Sequence, residues 1–104
     1  MSVLRGILKE EKQRLKALLR MYGSEVKTLP RGSISVKHIR NGEYAYLAYR
    51  KRGRVHFDYL GAASSEPVKK MNKKVAERRK LEALVKRAKA NLKEVEGMLR
   101  VRPA

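Results

Sequence analysis

The chain has 104 residues, enough for one small domain with or without a helical extension, and sets 27 Lys and Arg against 10 Asp and Glu for a formal charge of +17. No cysteine is present, which excludes a disulfide framework, thiolate zinc ligation and a cysteine nucleophile. No run of about 20 apolar residues exists to span a bilayer. Arg5, Lys9, Glu10 and Glu11 break up the apolar stretch that a signal peptide would need, so a cytoplasmic setting is expected.

Residues 1–23 predict a helix. Ser2 is its cap candidate, and Leu4, Leu8, Leu15, Leu18 and Tyr22 form one stripe that Ile7 and Leu19 widen. Gly23 is its expected stop. Leu29-Pro30-Arg31-Gly32 follows as a turn-rich connection, because Pro30 and Gly32 both resist helix.

The middle predicts three antiparallel strands over residues 33–40, 43–50 and 54–60. Asn41-Gly42 is the expected first hairpin turn, since a type I′ turn takes two residues at positive φ. Lys51-Arg52-Gly53 fits a three-residue second loop. This register pairs Val36 with Leu47 and Leu47 with Phe57. It gathers Ile34, Val36, Ala45, Leu47, Tyr49, Val55, Phe57 and Tyr59 on a core face, with His38 near the turn. The outer face then carries Lys37, Ile39, Tyr44, Tyr46, Arg50, Arg54 and His56. A two-residue second loop would move Val55, Phe57 and Tyr59 to the basic face. The first register is preferred because it hides the apolar side chains.

Residues 65–100 predict a long helix. Ser64 and Ser65 are cap candidates, and Pro67 sits in the first turn, where its missing N–H costs nothing. Its stripe runs through Val68, Met71 and Val75. After a phase break at Arg78-Arg79-Lys80 it resumes at Leu81, Val85, Ala88, Leu92, Val95 and Leu99 with coiled-coil alternation. About 35 residues at 1.5 Å each span roughly 50 Å, longer than the sheet, so this helix should pair with the first helix or with a second subunit. The fold class is therefore α+β: an N-terminal helix, a three-stranded antiparallel β-meander and a long C-terminal helix, in a single domain whose helices form a helical hairpin or coiled coil.

The charge is spread over the whole chain, +4 over residues 1–23, +5 over 24–65 and +8 over 66–104. A domain this basic repels itself and gains when a polyanion neutralises it. Three clusters suit phosphate or base contact. Lys37, Arg50 and Arg54 lie with Tyr44 and Tyr46 on the expected outer sheet face, and such a sheet can enter a major groove. Arg50, Lys51, Arg52 and Arg54 crowd a hairpin tip. Lys69, Lys70, Lys73, Lys74, Arg78 and Arg79, with Lys80, line a helix that could follow a phosphate backbone. Only Glu77 lies within that last run, so i,i+4 ion pairs do not account for it.

Catalysis finds little support. His38 and His56 fall on different faces in the preferred register, as do Glu43 and Asp58. There is no P-loop, paired carboxylate site or nucleophile elbow. No enzyme activity, metal or cofactor is expected.

Leu29-Pro30-Arg31-Gly32-Ser33-Ile34-Ser35, Tyr44-Ala45-Tyr46-Leu47-Ala48-Tyr49-Arg50, Gly53-Arg54-Val55 and Tyr59-Leu60-Gly61 together resemble a small uncharacterised prokaryotic family with the same helix, Tyr-rich sheet and helix layout. The sheet also resembles the arm-binding or AP2-type DNA-binding domains of tyrosine recombinases. That second resemblance implies an aromatic, basic sheet face in the major groove, although here a helix precedes the sheet and the following helix is much longer.

The expectation is a nucleic-acid-binding protein, with DNA favoured over RNA and a nucleoid-associated location if the target is DNA. The alternative is a helical assembly module, a homodimer or a binder of an acidic protein or ribonucleoprotein. A membrane-surface helix is disfavoured because the apolar stripe lacks interfacial aromatics.

Overall fold

Pro30, rather than Gly23, decides where the first helix ends. In the computed structural model, which describes residues 2–101, helix α1 (Val3–Lys27) continues through Gly23. A glycine there costs about 1 kcal/mol of helix propensity, which the remaining turns outweigh. Termination falls at Thr28, whose N–H and Oγ1 both donate to the Glu25 carbonyl, at 3.0 and 2.7 Å. Leu29 follows, and Pro30 pushes it out of the helical region. At the other end Ser2 holds the cap position in extended backbone without a capping side-chain bond; its carbonyl accepts the Gly6 N–H at 3.3 Å.

Three strands follow, β1 (Ser33–Ile39), β2 (Gly42–Lys51) and β3 (Arg54–Ala62), in an antiparallel sheet of order β1-β2-β3, and then helix α2 (Glu66–Arg100). The α+β order is the expected one. The chain divides into two units, Met1–Thr28 with Lys80–Ala104, and Leu29–Arg79. The division cuts α2 at Arg79, inside the stretch where the apolar stripe changes phase.

The first unit is an antiparallel pair made by α1 and the second half of α2. Leu15, Ala88 and Val95 are buried, and Leu8, Leu19, Leu92 and Leu99 pack against them. Lys12 Nζ lies 3.7 Å from Glu96 Oε2, and Arg5 Nη1 donates to the Val101 carbonyl at 3.4 Å, so the start of α1 lies beside the end of α2. The stripe read as a coiled-coil seam is thus used within one chain.

In the second unit both hairpins differ from expectation, with opposite consequences. The first turn consists of Arg40, at φ 57°, and Asn41, and Ile39 pairs with Gly42. Ile34 therefore faces Leu47 and Val36 faces Ala45, a shift that leaves every side chain on its predicted face. Gly42 is paired in β2 instead of forming the turn, and its lack of a side chain makes room for a neighbour. A Cβ there would sit 2.8 Å from the Tyr44 ring, which lies across the glycine.

The second turn has two residues, Arg52 (φ 53°) and Gly53 (φ 77°), and Lys51 pairs with Arg54. Positive φ at both central positions is the type I′ pattern, whose twist matches that of the strands. The shorter loop turns β3 over. Val55, Phe57 and Tyr59 lie on the outer face opposite Arg50, Ala48 and Tyr46, while Arg54, His56 and Asp58 lie on the inner face. The expected core face is corrected accordingly, and Arg54 and His56 leave the outer face. A bulge between Ala45 and Tyr46 admits Leu60 as an extra residue and carries β3 on to Ala62. The buried apolar residues of this unit are Ala45, Leu47, Val68 and Val75, so the first half of α2 covers the inner face of the central strand.

Candidate nucleic-acid interface

The outer sheet face is built by alternation along three strands. It carries Lys37 from β1, Tyr44, Tyr46 and Arg50 from β2, and Val55, Phe57 and Tyr59 from β3. The rings form one group: Tyr46 and Tyr59 have centroids 5.3 Å apart and Tyr44 and Tyr59 6.4 Å apart, both tilted. The Lys37 ammonium lies 4.4 Å from the centre of the Phe57 ring and 5.1 Å from that of Tyr46. Nothing covers the group within its unit, since Val55, Phe57 and Tyr59 remain 53 %, 49 % and 60 % exposed. At the first hairpin an open concavity of about 830 Å³, within the usual size of a ligand cleft, is lined by Ile39, Arg40, Asn41, Tyr44, Tyr46 and Tyr59.

The acidic residues of the sheet stay off this face. Glu43 and Asp58 share the inner face, contrary to the expected separation. Glu43 Oε1 lies 3.2 Å from His38 Nε2, and Asp58 Oδ1 accepts the Tyr49 hydroxyl at 3.3 Å. That bond, more than burial, raises the Tyr49 phenol above its ordinary pKa. His56 joins the same face, its ring stacked on Tyr49 at 5.5 Å. No strand carboxylate is left on the outer face, where the cations and rings lie.

The other sequence-identified cations fall elsewhere. Lys51, Arg52 and Arg54 line a second concavity with His56 at the β2–β3 tip, on the far side of the sheet from the rings. On α2, Lys69, Lys70, Lys73, Lys74 and Arg79 are exposed, while Val68 and Val75 turn inward. Because those valines face the inner side of the sheet, Lys69, Lys70, Lys73 and Lys74 point away from it, opposite to the aromatic face, whereas Arg79, one turn beyond Val75, borders Ser33 and Ile34 of β1. Lys69 also sits 3.7 Å from Glu66 Oε1. Arg78 has a structural contact: its Nη1 donates to the Leu29 carbonyl at 2.6 Å, tying α2 to the connection before β1. The three clusters therefore form more than one surface.

Sequence reasoning missed Val55, Phe57, Tyr59, Arg40 and Asn41 as parts of the outer face. The signal that finds the first three is Arg52-Gly53 read as a two-residue turn. Among the described residues no group of three His, Cys, Asp or Glu is placed to hold a metal ion, and no helix is long and apolar enough to cross a membrane. The family described as Domain of unknown function (DUF6788) matches residues 4–70, which takes in all of α1 but its first residue, the whole sheet and the first turn of α2. No curated protein and no solved structure matches the chain.

Proposed function

We propose, from the premise that the chain belongs to the DUF6788 family, that it is a non-enzymatic nucleic-acid-binding protein acting on DNA in the cytoplasm. The observation that carries this reading is the outer sheet face, where Lys37 and Arg50 stand among four exposed or half-exposed rings and no carboxylate shares the surface. A net charge of +17 supplies the long-range attraction. The Lys51-Arg52 tip and the exposed lysines of α2 add phosphate contacts that carry no sequence information.

Affinity should fall by about 0.9 log unit per log unit of salt for each phosphate neutralised on duplex DNA. Fluorescence anisotropy with labelled oligonucleotides tests it. Binding at about 50 mM salt that weakens steeply as salt rises supports the reading, and no binding at that salt refutes it.

A second reading, self-association through the helices, is favoured by one observation. Leu4 and Ile7 of α1 and Met98 of α2 are exposed at the shared end of the antiparallel pair. Sedimentation equilibrium distinguishes it: a monomer at micromolar concentration removes this reading and leaves the first untouched.

A further inference from the structure

We infer that the outer sheet face takes unpaired bases, so that the preferred target is single-stranded DNA rather than the duplex. This rests on the nucleic-acid reading above and goes further in naming the form of the ligand.

Base pairs in a duplex present only their edges to a protein in either groove, and edges are read by hydrogen-bonding side chains. The π-faces of the bases are occupied by stacking. The outer face offers the reverse chemistry. Phe57 and Tyr59 lie half or more exposed, with Val55 beside Phe57 along the strand. Tyr46 stands 5.3 Å from Tyr59, so the rings are contiguous. Exposed apolar patches of this kind mark binding surfaces, and exposed rings on a sheet accept unstacked bases, as single-strand-binding sheets do.

The charge pattern selects a polyanion over an apolar protein partner. Lys37 is held against Phe57 and Tyr46 in the middle of the ring group. Arg50 stands on the same face next to Val55 at one end of the sheet, and Arg40 borders the concavity at the other. Both carboxylates of the strands are turned to the inner face and engaged there. A backbone crossing the sheet thus meets cations at both ends and in the middle, with rings between. The concavity bounded by Tyr44, Tyr46, Tyr59 and Asn41 adds an amide that can reach a base edge.

The test compares one oligonucleotide sequence as single-stranded DNA, duplex DNA and single-stranded RNA, at equal salt, by anisotropy. The proteins are the full chain, Tyr59→Leu and Phe57→Leu, which keep apolar bulk and remove the π-face, with far-ultraviolet circular dichroism to show that each folds. Single-stranded DNA should bind tightest, and each ring variant should lose about tenfold on it while changing little on the duplex. Duplex binding equal to or tighter than single-strand binding, or equal losses on both, overturns the inference and leaves nucleic-acid binding standing. Tighter binding of RNA than of DNA overturns the choice of DNA. No binding to any of the three overturns the nucleic-acid reading itself.

Discussion

The Lys37 ammonium lies 4.4 Å from the centre of the Phe57 ring, across a sheet in which the two residues belong to opposite edge strands. Neither strand touches the other; β2 lies between them, and Ala48 of β2, opposite Phe57, leaves room above the sheet. An exposed cation–π contact contributes about 0.5–1 kcal/mol. Lys37→Met should therefore lower stability to urea by no more than about 1 kcal/mol, yet it should reduce the salt dependence of nucleic-acid binding by close to one ion. An unchanged salt slope would remove Lys37 from the interface.

Gly42 and Tyr44 give a second prediction. A Cβ at residue 42 would meet the Tyr44 ring at 2.8 Å, and the ring is the far end of a mobile side chain. Gly42→Ala should thus cost little stability, within about 1 kcal/mol, by moving the ring rather than the strand. Nuclear Overhauser contacts between Tyr44 and Tyr59, whose centroids are 6.4 Å apart, should weaken. Their persistence with a large loss of stability would show that the backbone moved instead.

The Tyr49–Asp58 bond makes a pH prediction. The raised Tyr49 pKa means that folding favours the neutral phenol. Its contribution to stability is fully present below the ordinary tyrosine value, about pH 10, and is lost as pH rises through the folded value. Asp58→Asn should lower the Tyr49 midpoint toward the ordinary value, read from its ring resonances. A midpoint unmoved by the substitution would exclude the hydrogen bond as its cause.

Leu15 tests the helix pair. It is 2 % exposed and lies among Ala88, Val95 and four partly buried leucines. Leu15→Ala should cost about 2–5 kcal/mol, as buried leucine truncations do. Hydrogen exchange should quicken first in α1 and the second half of α2. A loss under 1 kcal/mol, about the scale of an exposed-site change, would contradict the burial.

The element order was legible because each boundary carries a local signal. Pro30 and Gly32, the first hairpin's Asn41-Gly42 neighbourhood, Gly53 and Pro67 all fall at or beside the ends of elements. The phase break at Arg78-Arg79-Lys80 was legible as well, and it coincides with the division between the two units. The face of β3 was not, because hiding apolar side chains is a poor guide when both faces carry them. Phe57 and Tyr59 go to the outer face, where rings from β2 meet them. The turn at Arg52-Gly53, not burial, decides that arrangement. Lys37, Tyr44, Tyr46 and Arg50 kept their predicted face because a two-residue register shift preserves alternation. Gly23 misled because one glycine inside a long helix is tolerated, whereas a residue before proline is not.

The most direct measurement of whether the outer sheet face is the interface compares two charge reversals. Lys37→Glu with Arg50→Glu alters the sheet face, and Lys73→Glu with Lys74→Glu alters the opposite, helical side; both lower the net charge by the same amount. Titrated by anisotropy against the same single-stranded oligonucleotide at about 50 mM salt, the sheet-face variant should lose most of its affinity and the helix variant only a small part. Equal losses, or a greater loss from the helix variant, would contradict a sheet-face interface and leave only diffuse electrostatic attraction.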